Sequence, residues 1–171
     1  MHEFKVSVAE IVGRPGAYRD LEIRKPLDGV RTPLARLQQA IEARLRAESV
    51  VEGILVTGPV RGNSVLQCAR CLKQLPSEIT VEVCELFYAP GHTDQADDDS
   101  YRVTGNEVDL EPMLRDAITL GLPLNPLCEE GCKGLCARCG KDLNRGDCDC
   151  TEETGDPRWA ALDELRERLA Q

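Results

Sequence analysis

Six of the nine cysteines fall within one stretch, residues 127–150, which reads LCEEGCKGLCARCGKDLNRGDCDC. Eight of the nine form close pairs: Cys68 with Cys71, Cys128 with Cys132, Cys136 with Cys139, and Cys148 with Cys150. Thiols at this density serve as a disulfide framework, a redox centre or a metal clasp. An odd number leaves one thiol without a disulfide partner, which counts against the first. A thiolate pair two residues apart wraps one edge of a tetrahedron, and zinc takes four such ligands. A glycine after the second cysteine lets backbone amides approach the sulfurs. CARCG at 136–140 has this form, whereas CARCL at 68–72 carries Leu in that place.

Eight paired cysteines suffice for two zinc ions, and intact pairs can be matched in three ways. The eight-residue connection GKDLNRGD favours joining Cys136 and Cys139 to Cys148 and Cys150, because a short loop costs little to close. Cys68 and Cys71 would then meet Cys128 and Cys132 across a loop of more than fifty residues. The expectation is two structural zinc sites, against a single site as the alternative.

Chemistry at these sites is not expected. A catalytic zinc keeps an open position and usually a His or carboxylate ligand. The chain holds two histidines, His2 and His92, both alone in loop-like sequence, and no HExxH, phosphate-binding loop or GxGxxG. The reading is a non-enzyme. Its rivals are a thiol-based redox or zinc-responsive adaptor and a rubredoxin-like iron electron carrier. Cys84, unpaired within a strand pattern, reads as a packed apolar thiol.

The elements that must position these thiols read as follows. FKVSV at 4–8 and LEI at 21–23 suggest short strands, with GRPGA between them as turn material. Residues 32–48 fit two periods. Leu34, Leu37, Ile41 and Leu45 have helical spacing, while Ile41, Ala43, Leu45 and Ala47 alternate with charged residues as in a half-buried strand. We expect a helical or irregular turn to about residue 39, then one long strand from 41 to 57, bent at Gly53. GNSVLQCARCL at 62–72, after a turn, and SEITVEVCELFYA at 77–89 read as a hairpin, with Ile79, Val81 and Val83 on one face and Cys68 and Cys71 at its end. PGHTDQADDDS at 90–100 reads as an acidic loop. A helix is expected over 109–121, capped by Asp109, with Leu110, Leu114, Ala117 and Ile118 as its apolar stripe. A second is expected at the end of the chain, with Asp156 as cap and Trp159, Leu162, Leu165 and Leu169 buried. The fold class expected is α+β, an antiparallel sheet body with short helices and a C-terminal cysteine-rich zinc-knuckle segment: residues 1–125 form a mostly β domain with one short helix near its end, and residues 126–171 a zinc-binding segment and C-terminal helix packed on the same body.

The net charge is −9, with 30% charged residues and only 4% aromatic. Such a chain repels phosphate and lacks stacking platforms, so sequence-blind binding to naked nucleic acid is disfavoured. A basic partner fits better. Lys133, Arg138, Lys141 and Arg145 in the knuckle region are roughly cancelled by Glu129, Glu130, Asp142, Asp147 and Asp149. No signal-like apolar run and no span of 18 apolar residues is present, so the expected location is the cytoplasm, where thiols stay reduced.

CARCL after a strand, LEPMLRDAITLGLPLNPLC, CKGLCARCGKDLN, CDC and DPRWAALDEL occur in this order, and together they resemble the YceD family of large ribosomal RNA subunit accumulation proteins. The resemblance covers about residues 50–169. It implies a bacterial or plastid, non-enzymatic factor for ribosome biogenesis, needed for accumulation of large-subunit ribosomal RNA. It further implies a ribosomal large-subunit protein or the large-subunit rRNA precursor as partner. The family supplies no catalytic residues.

Overall fold

A computed structural model of the chain describes residues 4–92, 100–150, and Leu162, Arg166 and Arg168. Seven strands and one helix are found among these residues: β1 (Lys5–Ser7), β2 (Tyr18–Pro26), β3 (Arg31–Thr32), β4 (Ala35–Ser49), β5 (Gly53–Gln67), β6 (Gln74–Tyr88), β7 (Glu107–Asp109) and α1 (Glu111–Gly121). The body is one antiparallel sheet in the order β2-β4-β5-β6, with β3 paired to β4. β1 and β7 make a separate antiparallel pair. The architecture is thus mostly antiparallel β, with one helix, α1, among the described residues up to 150, rather than α+β with several. The helix expected from Asp156 onward lies outside the described residues, apart from Leu162, Arg166 and Arg168, which are helical; Leu162, expected in its buried stripe, is instead 53% exposed. The acidic loop at 90–100 falls mostly outside them too.

Alternation decides which face of the sheet is buried. On β4 the buried residues Ala35, Ile41, Ala43, Leu45 and Ala47 are all odd-numbered; on β5, Ile54, Val56, Val60 and Leu66 are even-numbered. That change of parity marks a hairpin, so the single strand expected over 41–57 is in fact two. Val50 and Gly53 exchange backbone hydrogen bonds to close the turn, and Val51 stands exposed at its tip. Gly53 does not bend a strand; it begins one. A Cβ there would collide with the Phe87 carbonyl of the neighbouring β6. The break expected before residue 62 is also absent, and β5 runs unbroken from Gly53.

The strand expected from residue 41 begins at Ala35, following a two-residue turn at Pro33 and Leu34. Between Gln38 and Glu42 the register on β5 advances only from Asn63 to Arg61. Two extra residues are therefore held in a bulge, with Gln39 at φ 64°. An even insertion leaves the inward parity unchanged, so one apolar face continues through the irregularity.

Helix α1 covers part of that face. Leu110 is its N-cap, not Asp109, yet the Asp109 carboxylate still accepts the Glu111 N–H at 3.1 Å. Met113, Leu114 and Ile118 are buried. At Gly121 a side chain would run into Val81 and Ile79 of β6, so this glycine permits the close approach of helix to sheet. Phe4, Val8 and Ile11 fill the rest of the layer with Val108 and Leu110. Helix and sheet thereby fix the two points from which the cysteine-bearing segments emerge: the end of the β5–β6 hairpin and the stretch after Gly121.

Candidate metal centre

The β5–β6 hairpin ends in a tight turn at residues 68–73. Cys68 N–H donates to the Lys73 carbonyl at 2.9 Å, and Leu72 N–H to the Cys68 carbonyl at 3.0 Å. Leu72 takes the left-handed conformation, φ 61°. A second turn repeats this geometry. Cys136 N–H donates to Lys141 O and Gly140 N–H to Cys136 O, both at 2.9 Å, and Gly140 has φ 72°. The shared string is C-A-R-C-x-K, with Leu or Gly at the left-handed position.

Beyond Leu122, the prolines at 123 and 126 hold the chain extended and carry it back to the hairpin end. There Ala69 N–H meets Pro126 O at 2.8 Å, and Leu135 N–H meets Arg70 O at 3.2 Å. The Arg70 guanidinium donates to Cys132 O at 2.8 Å. Gly134, φ 78°, lies so near that a Cβ would sit 3.0 Å from the Arg70 carbonyl. These bonds place Cys128 and Cys132 beside Cys68 and Cys71.

Two tetrads result among the described residues. One is Cys68, Cys71, Cys128 and Cys132; the other is Cys136, Cys139, Cys148 and Cys150; within each, the sulfurs all lie within 4.8 Å of one another. All nine cysteines are free thiols. The sulfurs of Cys68 and Cys132 are 3.8 Å apart, and those of Cys71 and Cys128 3.6 Å. A tetrahedron with metal–sulfur bonds of about 2.3 Å has sulfur–sulfur edges of about 3.8 Å, so the first tetrad already has the dimensions of a tetrahedral thiolate site. Each tetrad can hold one metal ion and, with four sulfurs, complete its coordination.

Their electrostatics match. The Cys71 backbone N–H, hydrogen-bonding to the Cys68 sulfur, lowers that thiol to about 6. The Cys139 and Arg138 backbone N–H groups do the same for Cys136, also to about 6. Cys128 is pushed up to about 12, chiefly by hydrogen bonding with the Cys132 sulfur and then by burial. Cys150 is pushed up to about 12, chiefly through Cys139. Each metal-free tetrad thus carries a ready thiolate and a reluctant thiol at neutral pH. Their burial differs: Cys68 and Cys132 are buried, whereas in the second tetrad Cys139 is exposed and the others are half-covered.

Two groups stand apart from the tetrads. Cys84 is exposed, not packed as expected, because it shares the outward parity of β6 with Thr80 and Glu82 while Ile79, Val83 and Phe87 point inward. Among the basic residues of the knuckle region, Arg145 pairs with Asp142 at 3.5 Å and Lys141 Nζ donates to the Asp147 carbonyl. Sequence reasoning missed Asn144, whose amide nitrogen lies 3.5 Å from the Cys132 sulfur. The turn NRGD gave its only signal, and that signal marks a turn rather than a contact.

The protein is thus an antiparallel sheet whose hairpin end meets the cysteine-rich segment in one all-cysteine tetrad, with a second tetrad inside that segment, and each could hold a metal ion. The profile of the large ribosomal RNA subunit accumulation protein YceD matches residues 56–166, and the chain belongs to this family. An uncharacterised protein of Mycobacterium tuberculosis (strain H37Rv) is 38% identical over 171 residues, spanning 94% of this chain and 80% of that protein. The protein YlbN of Bacillus subtilis is 32% identical over 107 residues, 62% of each chain. A chloroplastic Arabidopsis thaliana protein, large ribosomal RNA subunit accumulation protein YCED homolog 1, is 37% identical over 65 residues, 38% of this chain and 20% of that protein. No solved structure matches. No helix among the described residues is long and apolar enough to cross a membrane.

Proposed function

We propose that this chain is a non-catalytic ribosome biogenesis factor that supports accumulation of large-subunit ribosomal RNA in the cytoplasm, held in shape by two structural zinc ions. The zinc ligands are Cys68, Cys71, Cys128 and Cys132 in one site and Cys136, Cys139, Cys148 and Cys150 in the other. The observation that carries this reading is the pair of four-sulfur tetrads in a chain of the YceD family. Four thiolates fill a tetrahedral ion and leave no position for substrate, which supports a structural role. Zinc bound there supplies a cross-link: in the first site it joins the sheet hairpin to residues 128 and 132, so the cysteine-rich segment and the body form one unit.

The partner that suits the surface is a basic ribosomal large-subunit protein. The net charge of −9 favours a cationic surface. The knuckle cations Lys141 and Arg145 are engaged within their own loop, which weakens the case for an RNA patch there. The rRNA precursor is then reached through that protein.

Native mass spectrometry on protein purified without added metal tests the metal half, with two zinc ions per chain expected. One ion, or a coloured iron protein, overturns it. Complementation of a deletion strain tests the rest. Wild-type protein should restore the ratio of large- to small-subunit rRNA, and the Cys68→Ser/Cys71→Ser variant should not. An unchanged ratio on deletion removes the rRNA role.

A further inference from the structure

The two tetrads are not independent neighbours. Asn144 sits in the loop that the second tetrad closes, between Cys139 and Cys148, yet its side chain reaches the first tetrad. Its Oδ1 accepts the Lys133 N–H at 2.7 Å. That contact fixes the orientation of the amide, since only the oxygen can accept from a backbone N–H. The Nδ2 amino group therefore faces the Cys132 sulfur at 3.5 Å and the Asp142 carboxylate at 2.8 Å. The Asp142 carboxylate also accepts the Asn144 backbone N–H at 3.0 Å, which sets the turn. A short antiparallel contact holds the two stretches together: Leu135 pairs with Asp142, and Leu143 N–H donates to Gly134 O at 3.0 Å. Gly134 and Leu135 in turn lie against Arg70 of the first turn.

Four thiolates around a divalent ion leave net negative charge on sulfur. An N–H aimed at one of them withdraws part of that charge and fixes the direction of its lone pairs, as partners beyond the ligands do in other metal sites. Asn144 has that position on Cys132, and its loop is held there by this contact, by the contacts to Lys133, Gly134 and Leu135, and by closure of Cys136, Cys139, Cys148 and Cys150 into one tetrad. On these grounds, and resting on the metal-clasp reading above, we infer that Asn144 couples the two sites. Metal in the second tetrad closes the loop that sets the Asn144 amide on the Cys132 sulfur, and so raises the metal affinity of the first. Asn144 is a positioning residue, not a ligand. Linkage makes the effect mutual: metal in the first tetrad raises the affinity of the second by the same factor.

Cobalt(II) titration of the full reduced chain, competed by a chelator and read by thiolate-to-cobalt absorption, tests this. Wild type should take two cobalt ions. Cys148→Ser/Cys150→Ser should take one, bound about tenfold more weakly than the first-site ion of wild type, the low end of the range for such partners because Asn144 is exposed. Asn144→Ala should weaken the first site by a similar factor while still binding two ions. It should also shift the thiolate-to-cobalt band, which a merely looser loop would not do. Asn144→Asp keeps the oxygen that meets Lys133 but loses the donor, and should behave like Asn144→Ala. Combining Asn144→Ala with the double serine change should cost no more than the double change alone. First-site affinity that is equal in wild type and Cys148→Ser/Cys150→Ser, or effects that simply add, overturns the coupling and leaves the metal clasp standing. A wild-type chain that binds no cobalt overturns both.

Discussion

Residues 68–73 and 136–141 have nearly the same sequence and fold into the same turn, with matching amide-to-carbonyl bonds and one left-handed residue each. What differs is where they stand. The first turn is the end of a two-stranded hairpin whose strands pair over their whole length, and its tetrad joins positions 57 and 64 residues apart in sequence. The second turn belongs to a loop that is tied, among the described residues, to Cys132, Lys133, Gly134 and Leu135. One chemical unit therefore serves as a tie across the fold in the first place and as a local closure in the second. A knuckle contributes to global stability according to the length of chain that it spans, more than by its own geometry.

The sharpest way to break that comparison is to remove one ligand from each. Cys132→Ser frees the long connection, and restraint of a loop of this length is worth about 4 kcal/mol in the unfolded chain. For a chain of this size that is a fall of roughly 8–16 °C in melting temperature. Cys148→Ser should lower the melting of the sheet by no more than about 6 °C, since its direct loss is confined to the short loop and only the roughly tenfold weakening of the first site reaches the sheet. Calorimetry on the zinc-loaded proteins measures both. Equal losses would mean that the second tetrad is part of the global fold.

Acid and chelators should sharpen the same contrast. Cys68 and Cys136 are lowered to about 6, while Cys128 and Cys150 are held near 12 before metal arrives. Binding must expel the protons of the reluctant thiols, so affinity rises with pH, by roughly tenfold per unit for each proton released. Below about 6 the two low thiols protonate as well, and affinity falls more steeply. Because both tetrads share this pattern, their midpoints in an acid titration should be close. They should separate in rate: a chelator should empty the exposed second tetrad first. Single-phase release followed by a thiol-reactive dye would contradict the difference in burial.

Much of this was legible in the sequence, and the reasons for the failures are physical. The grouping of the cysteines follows from loop lengths, because a short connection between two pairs leaves few alternatives. The alternation from Ile41 to Ala47 announced its strand. The hairpin turn did not announce itself, since Val50, Val51 and Glu52 carry no turn chemistry and only the change of parity from Ser49 to Ile54 reveals it. The helical spacing of Leu37, Ile41 and Leu45 is an accident of a strand whose inward positions are odd-numbered, so that every second one is four residues on. The bulge at Gln39 left no mark, because two extra residues preserve the parity. Residue type alone points Cys84 inward, but on β6 the inward positions are odd-numbered, so its even number puts it outward. The contact of Asn144 depends on two distant turns meeting, which no local pattern encodes.

A smaller effect tests the turns themselves. A left-handed conformation costs a residue with a Cβ about 1–2 kcal/mol, while glycine gives back about 0.5–1 kcal/mol in the entropy of the unfolded chain. Leu72, half exposed, gains little from burial in return. Leu72→Gly should therefore stabilise the first turn by about 0.5–1 kcal/mol, and Gly140→Leu should cost the second turn a similar amount. Opposite signs are the essential result, read as melting temperature for the first and as chelator-competed metal affinity for the second. A loss in both would mean that Leu72 is fixed by a contact that its exposure does not reveal.

The smallest effect is expected at Cys84, and it separates the ninth thiol from the eight. Cys84 faces outward on β6 opposite Thr57 and is remote in sequence from both cysteine turns. Exposed substitutions of this kind usually change stability by less than about 0.5 kcal/mol. Cys84→Ser should leave the zinc count, the melting temperature and the acid midpoint of release unchanged. It should also remove the one thiol that reacts quickly with a dye while both tetrads hold metal. A zinc-loaded wild-type chain should therefore show one fast-reacting thiol, and the variant none. A change in zinc count in Cys84→Ser would draw this cysteine into a site, and the division of the nine thiols into two tetrads and one bystander would have to be redrawn.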